Sequence, residues 1–187
     1  MPVWLTEPEY RTLVAVCDRL IPADGDRPGA VAAGAPDYID TLLGAFAFDP
    51  PRIWAGGPTS GRHGGPARFG AFLPLGALDE LAWRTRIEGS LGRPEREFNG
   101  PVVGLQERYR AGLAELGGGF GDRDRRAQAV ALRRDPAFTA LVFAHTCEGM
   151  YGAPEYGGNR DGSAWAAIGF AGDVQPRGFT DAEVSGP

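Results

Sequence analysis

Residues Leu141 to Gly172 read LVFAHTCEGMYGAPEYGGNRDGSAWAAIGFAG. An apolar helical run is expected to break at Cys147-Glu148-Gly149. It gives way to a loop, residues 149 onward, in which Tyr151, Tyr156, Trp165 and Phe170 alternate with Asn159, Arg160 and Asp161. Gly157, Gly158 and Gly162 permit positive φ or close backbone approach, and Asn159 and Asp161 can bond their own main chain, so these residue types favour compact turns. Two readings follow. The loop packs its aromatics on its own core, or it presents them to a partner, since Trp, Tyr and Arg are the side chains that anchor interfaces.

Upstream of this stretch the chain reads as helices. Asp135-Pro136 places an N-cap before Pro at the first helical position, and Phe138, Leu141, Val142 and His145 follow on one side. Near the N-terminus, Thr6 and Glu9 form a T-x-x-E capping box, with Leu5 and Tyr10 at the staple positions. Tyr10, Leu13, Val14, Cys17, Leu20 and Ile21 then recur at helical spacing until Pro22. A second helix follows Pro36 with Tyr38, Ile39, Leu42, Leu43 and Phe46 as its stripe. A third spans about Ala77 to Glu88, with Leu78, Leu81 and Ala82 inward. A fourth follows Pro101, its stripe running Val102, Leu105, Tyr109, Leu113 and Leu116, and a fifth begins at Asp122. No stretch alternates as a strand. The expected fold is mainly α, about six helices in a single domain over residues 1–187.

Residues 47–76 break this rhythm. About thirty residues without periodicity exceed the usual connection, yet Ile53, Trp54, Phe69, Phe72 and Leu73 are too apolar to stay solvated, so an extended arm pinned by aromatics is expected. Its glycines follow no strand and carry no G-K-[ST], which argues against a nucleotide loop.

Composition narrows the function classes. All 19 basic residues are Arg and the net charge is −5, which argues against nucleic acid or an anionic membrane as partner. No apolar run is long enough to span a bilayer. The two cysteines, Cys17 and Cys147, form no C-x-x-C pair and read as free thiols, with one disulfide the lesser alternative. Asp24 and Asp26 read as an acidic turn, because the remaining ligands of a calcium loop are missing.

The catalytic inventory is thin. His63 lies in a glycine-rich loop. His145 and Cys147 are two apart on a helix and face different ways, which is poor placement for a base and nucleophile. His145 and Glu148 share a face, but a bundle metal centre needs a second such pair and further carboxylates. No catalytic, cofactor or metal residues are assigned. A ligand-binding or enzymatic reading using His145, Glu148 and Arg160 stays as the alternative to a partner subunit.

Cys147-Glu148-Gly149, Pro154, Glu155-Tyr156-Gly157-Gly158-Asn159-Arg160-Asp161, Trp165, Ile168-Gly169-Phe170 and Gly172 resemble the signature of the gluconate 2-dehydrogenase subunit 3 family. Asp18-Arg19-Leu20-Ile21-Pro22-Ala23-Asp24, Gly29-Ala30, Ala33-Gly34 and Tyr38-Ile39-Asp40 are similar to that family's opening segment. The resemblance implies a small accessory subunit that binds and helps mature a large FAD-dependent dehydrogenase of the glucose-methanol-choline type, sometimes with a cytochrome c subunit. A transient chaperone for that flavoenzyme is the variant reading. FAD is then expected in the partner, not in this chain. The family's twin-arginine export leader does not precede Trp4, so a cytoplasmic location is expected, or export with the partner if a leader was removed. The expected interface residues are Trp54, Tyr151, Tyr156, Asn159, Arg160, Trp165 and Phe170, with residues 149–187 as docking loop and tail.

Overall fold

The computed structural model describes residues 1–53 and 75–170. Its fold is mainly α, a bundle of seven α-helices with no strand among the described residues. They are α1 (Glu7–Leu20), α2 (Ala35–Leu43), α3 (Ala77–Glu88), α4 (Leu105–Leu116), α5 (Arg125–Leu132), α6 (Pro136–Tyr151) and α7 (Ser163–Ala167). The expected arm lies mostly outside the described residues, as do Trp54, His63, Gly172 and the tail.

The capping box forms as the sequence dictates. The Glu9 carboxylate accepts from the Thr6 backbone N–H at 2.8 Å and from its hydroxyl at 2.7 Å. Leu13, Val16 and Cys17 on the inner face of α1 are fully buried, and α1 lies against α2, α4, α5 and α6. The segment before α1 is tied to α2 by Asp40. Its buried carboxylate accepts from the backbone N–H groups of Val3, Trp4 (3.1 Å) and Leu5 (2.8 Å). Three main-chain donors on one carboxylate satisfy a charge that would otherwise be too costly to bury.

Between α1 and α2, Asp24 and Arg27 exchange backbone hydrogen bonds across a tight turn, the acidic turn expected there. Around the core, Tyr109 and Phe120 are the largest fully buried side chains, joined by Ile39, Leu43, Ile87, Val142 and Met150. Tyr109 meets Phe138 edge-on at 5.6 Å between centroids. Both cysteines are free, Cys17 buried and Cys147 half-buried. Burial pushes the Cys17 thiol up to about 12, with Thr146 Oγ1 at 3.5 Å.

Four details depart from the sequence reading. Leu78 is 82% exposed and Ala82 is exposed too, and α3 instead buries Ile87. Val102 lies before α4, where its carbonyl accepts from Ser90 N–H at 2.9 Å, because this segment folds back on the end of α3. The fifth helix starts at Arg125, capped by Asp124, whose Oδ1 accepts from Ala127 N–H at 2.8 Å. Most consequential, α6 does not break at Cys147-Glu148-Gly149 but runs on to Tyr151. Gly149 is there for close packing: a Cβ at that position would sit 3.0 Å from Ala35 Cα and from the Tyr38 side chain. The missing side chain lets α2 and α6 approach.

Candidate functional site

The C-terminal end of α6 should leave its last carbonyls without helical partners. In this chain the following loop supplies them. Gly152 N–H donates to Glu148 O at 2.8 Å, Asn159 N–H to Gly149 O at 2.6 Å, and the Trp165 indole N–H to Tyr151 O at 2.7 Å. Asn159 Nδ2 also donates to Gly152 O at 3.0 Å, and its Oδ1 accepts from Ala164 N–H at 3.1 Å at the start of α7. Gly158 makes the approach possible, since a Cβ there would lie 2.0 Å from Gly149 O. The loop from Gly152 to Phe170 is thus the cap of α6, built as compact turns as its glycines suggested.

A second attachment runs sideways. Arg160 N–H donates to Ala33 O at 2.9 Å, and its guanidinium donates to Asp37 Oδ2 at 2.5 Å. The other Asp37 oxygen accepts from the Tyr10 hydroxyl. Burial, reinforced by this carboxylate, raises the Tyr10 phenol above its ordinary value.

Fastened from beneath, the loop turns apolar surface outward. Tyr151, Ile168 and Phe170 are 43%, 60% and 48% exposed. Phe170 stands edge-on to the Trp165 ring at 5.1 Å. Beside this patch lies a groove of about 630 Å³, walled by Tyr38, Trp83, Tyr151 and Tyr156 with Arg86 and Glu148 among them. Tyr38 donates to Glu148 Oε2 at 3.1 Å, and burial followed by that carboxylate raises its phenol, so it stays protonated. Cys147 opens into the same groove, its thiol raised by burial and by Glu148, which leaves it a poor nucleophile.

His145, Glu148 and Arg160, the three residues of the enzymatic alternative, are each committed to a different neighbour. His145 Nδ1 is 2.9 Å from the buried Tyr109 hydroxyl, Glu148 binds Tyr38 and Arg160 binds Asp37. Burial, followed by Arg86 and Arg108, lowers the His145 pKa, while Glu148 opposes the shift. No group of three His, Cys, Asp or Glu among the described residues could hold a metal ion.

The YGGNRD run that fastens the loop and the capping-box helix that anchors its far side lie in one continuous match. The model for gluconate 2-dehydrogenase subunit 3 covers residues 7–172 of this chain. The chain belongs to the gluconate 2-dehydrogenase subunit 3 family. No curated protein and no solved structure matches it significantly.

Within this subunit 3 domain, the expected interface residues separate into two kinds. Tyr151 and Phe170 are exposed, and Tyr156 and Trp165 are half-buried. Asn159 is a correction: it is fully buried, with both ends of its amide used internally, so it shapes the loop and has no surface to offer a partner. Arg160 is exposed but already paired with Asp37. Trp54 lies outside the described residues. Ile168, absent from the expected set, is exposed beside them, and its apolar side chain between Ala167 and Gly169 was a visible signal. No helix among the described residues is long and apolar enough to cross a membrane.

Proposed function

We propose that this chain is a non-catalytic small subunit that binds, steadies and helps mature a large FAD-dependent dehydrogenase of the glucose-methanol-choline type, acting on a sugar, sugar acid or alcohol. The observation that carries the reading is the contrast within one loop. Its main chain is fastened to the end of α6 at Asn159 and to Ala33, just ahead of α2, at Arg160, while Tyr151, Ile168 and Phe170 are held out to solvent. An apolar cluster fixed in place at a helix end is a preorganised anchor, which costs little entropy to dock. Membership of a dehydrogenase subunit family supports a dehydrogenase as the partner.

The FAD belongs to the large subunit in this reading. Co-expression of the two chains tests it: the soluble, flavin-loaded large subunit should increase, and the two should co-elute. A large subunit equally soluble and flavin-loaded without this chain would contradict the reading. Loss of this chain from the mature complex would make it a transient chaperone.

A further inference from the structure

A second hollow, on the side of α6 facing α3 and α4, is not used by the docking loop. It has a volume of about 400 Å³, and three helices each bring a nitrogen-bearing side chain to it: Arg86 from α3, Arg108 from α4 and His145 from α6. Its rim is apolar, with Val102 40% and Val103 58% exposed, and Leu141 adds to the wall.

His145 is almost wholly buried and its ring stacks on Tyr109, with centroids 5.8 Å apart and planes 7° from parallel. Burial keeps Tyr109 protonated, so its hydroxyl can donate to His145 Nδ1. In that tautomer the neutral ring carries its proton on Nε2, as a donor not committed to Tyr109. Neither Arg86 nor Arg108 forms an ion pair with a carboxylate among the described residues; Arg86 lies 5.2 Å from the centre of the Trp83 ring. Two guanidinium groups and an imidazole N–H suit an oxyanion, while the valine rim suits hydrocarbon. Hydroxyl groups placed against Val102 and Val103 would lose their hydrogen bonds to water without replacement.

We propose that this hollow binds a small organic carboxylate, its oxygens held by Arg86, Arg108 and His145 and its apolar body lying on Val102, Val103 and Leu141. The volume falls within the range of small-molecule sites. The site shares Arg86 with the groove beside the docking loop but takes no residue from the loop itself, and its test uses the full-length chain alone.

The chain has two histidines, so a His63→Gln background leaves the His145 imidazole as the sole histidine signal in an NMR spectrum. Titration with 3-methylbutanoate should shift that signal to saturation. Arg86→Gln and Arg108→Gln, at exposed positions, should keep the melting temperature and weaken binding by about tenfold each. Gluconate should bind more weakly than 3-methylbutanoate. No shift, identical titrations in the arginine variants, gluconate binding as tightly as 3-methylbutanoate, or an equal response to inorganic phosphate at the same ionic strength would overturn the proposal.

Discussion

The Arg160 guanidinium donates to the Asp37 carboxylate at 2.5 Å and joins residues 123 positions apart in sequence. With Tyr10 on the same carboxylate, α1, α2 and the terminal loop meet at one side chain. Both partners are about half exposed, so solvent screens the pair and its contribution is small. Arg160→Ala should therefore cost less than about 1 kcal/mol in denaturant unfolding. The backbone bond from Arg160 to Ala33 survives the substitution, so the loop should stay in place. A loss of several kcal/mol would mean that the pair, not the backbone, fastens the loop.

Asn159 carries more. Asn159→Ala removes the bonds to Gly152 O and from Ala164 N–H at a buried site, and it puts alanine at a φ of 41°. The expected cost is about 2–4 kcal/mol, from two buried hydrogen bonds lost with their partners left unsatisfied. Amide exchange should quicken first at Ala164 and through α7. Wild-type protection there in the variant would contradict the role given to Asn159.

Gly149→Ala pits helix propensity against packing. Alanine in an open helix interior gains about 1 kcal/mol over glycine. Here the new methyl meets α2 at 3.0 Å, and overpacking of this kind costs about 1–3 kcal/mol. Packing should win and the melting temperature should fall. Gly118→Ala, with nothing within 4 Å of the added carbon, is the control and should be near neutral. A more stable Gly149→Ala protein would refute the close α2–α6 approach.

The His145 pKa lies below its ordinary 6.5, because burial, Arg86 and Arg108 disfavour the charged ring more than Glu148 favours it. The unfolded chain therefore takes up this proton more readily. The stability is fully present above pH 6.5 and drains away as pH falls from there towards the folded value. Thermal unfolding followed as the pH is lowered from about 6.5 should show that slope. In His145→Gln it should be shallower, and an unchanged slope would place the titration elsewhere.

The capping box, α1, the start of α6 at Asp135-Pro136 and the absence of strands among the described residues were legible because each rests on local chemistry: a cap, a period, a proline at the first turn. Gly149 misled because a glycine admits a helix break and a close helix crossing equally, and only the position of α2 decides between them. Leu78 and Val102 were misplaced because α3 has weak apolar periodicity and the 89–104 segment is held by Ser90, which no periodic pattern reveals. Asp40 entered only through the Tyr38-Ile39-Asp40 resemblance, although an acid between Ile39 and Leu42 beside an apolar stripe was a visible anomaly. Its partners are main-chain N–H groups from residues 3–5, which a sequence does not identify. In the loop, the residue types were read correctly but their division of labour was not. Asn159 faces inward and Ile168 outward, and that depends on how the turns stack on the end of α6.

The central claim is that the outer face of the terminal loop is covered by the large dehydrogenase subunit. Trp165→Ala is a poor test, because its indole also caps Tyr151 O. Ile168 and Phe170 are exposed and neither side chain supplies a hydrogen bond of that cap, although Phe170 packs edge-on against the Trp165 ring. The deciding measurement is co-purification of the large subunit with an Ile168→Asp, Phe170→Asp double variant, alongside the variant's own melting temperature. Unchanged melting with the large subunit lost is the predicted result. A stoichiometric complex retained by a normally folded double variant would contradict it.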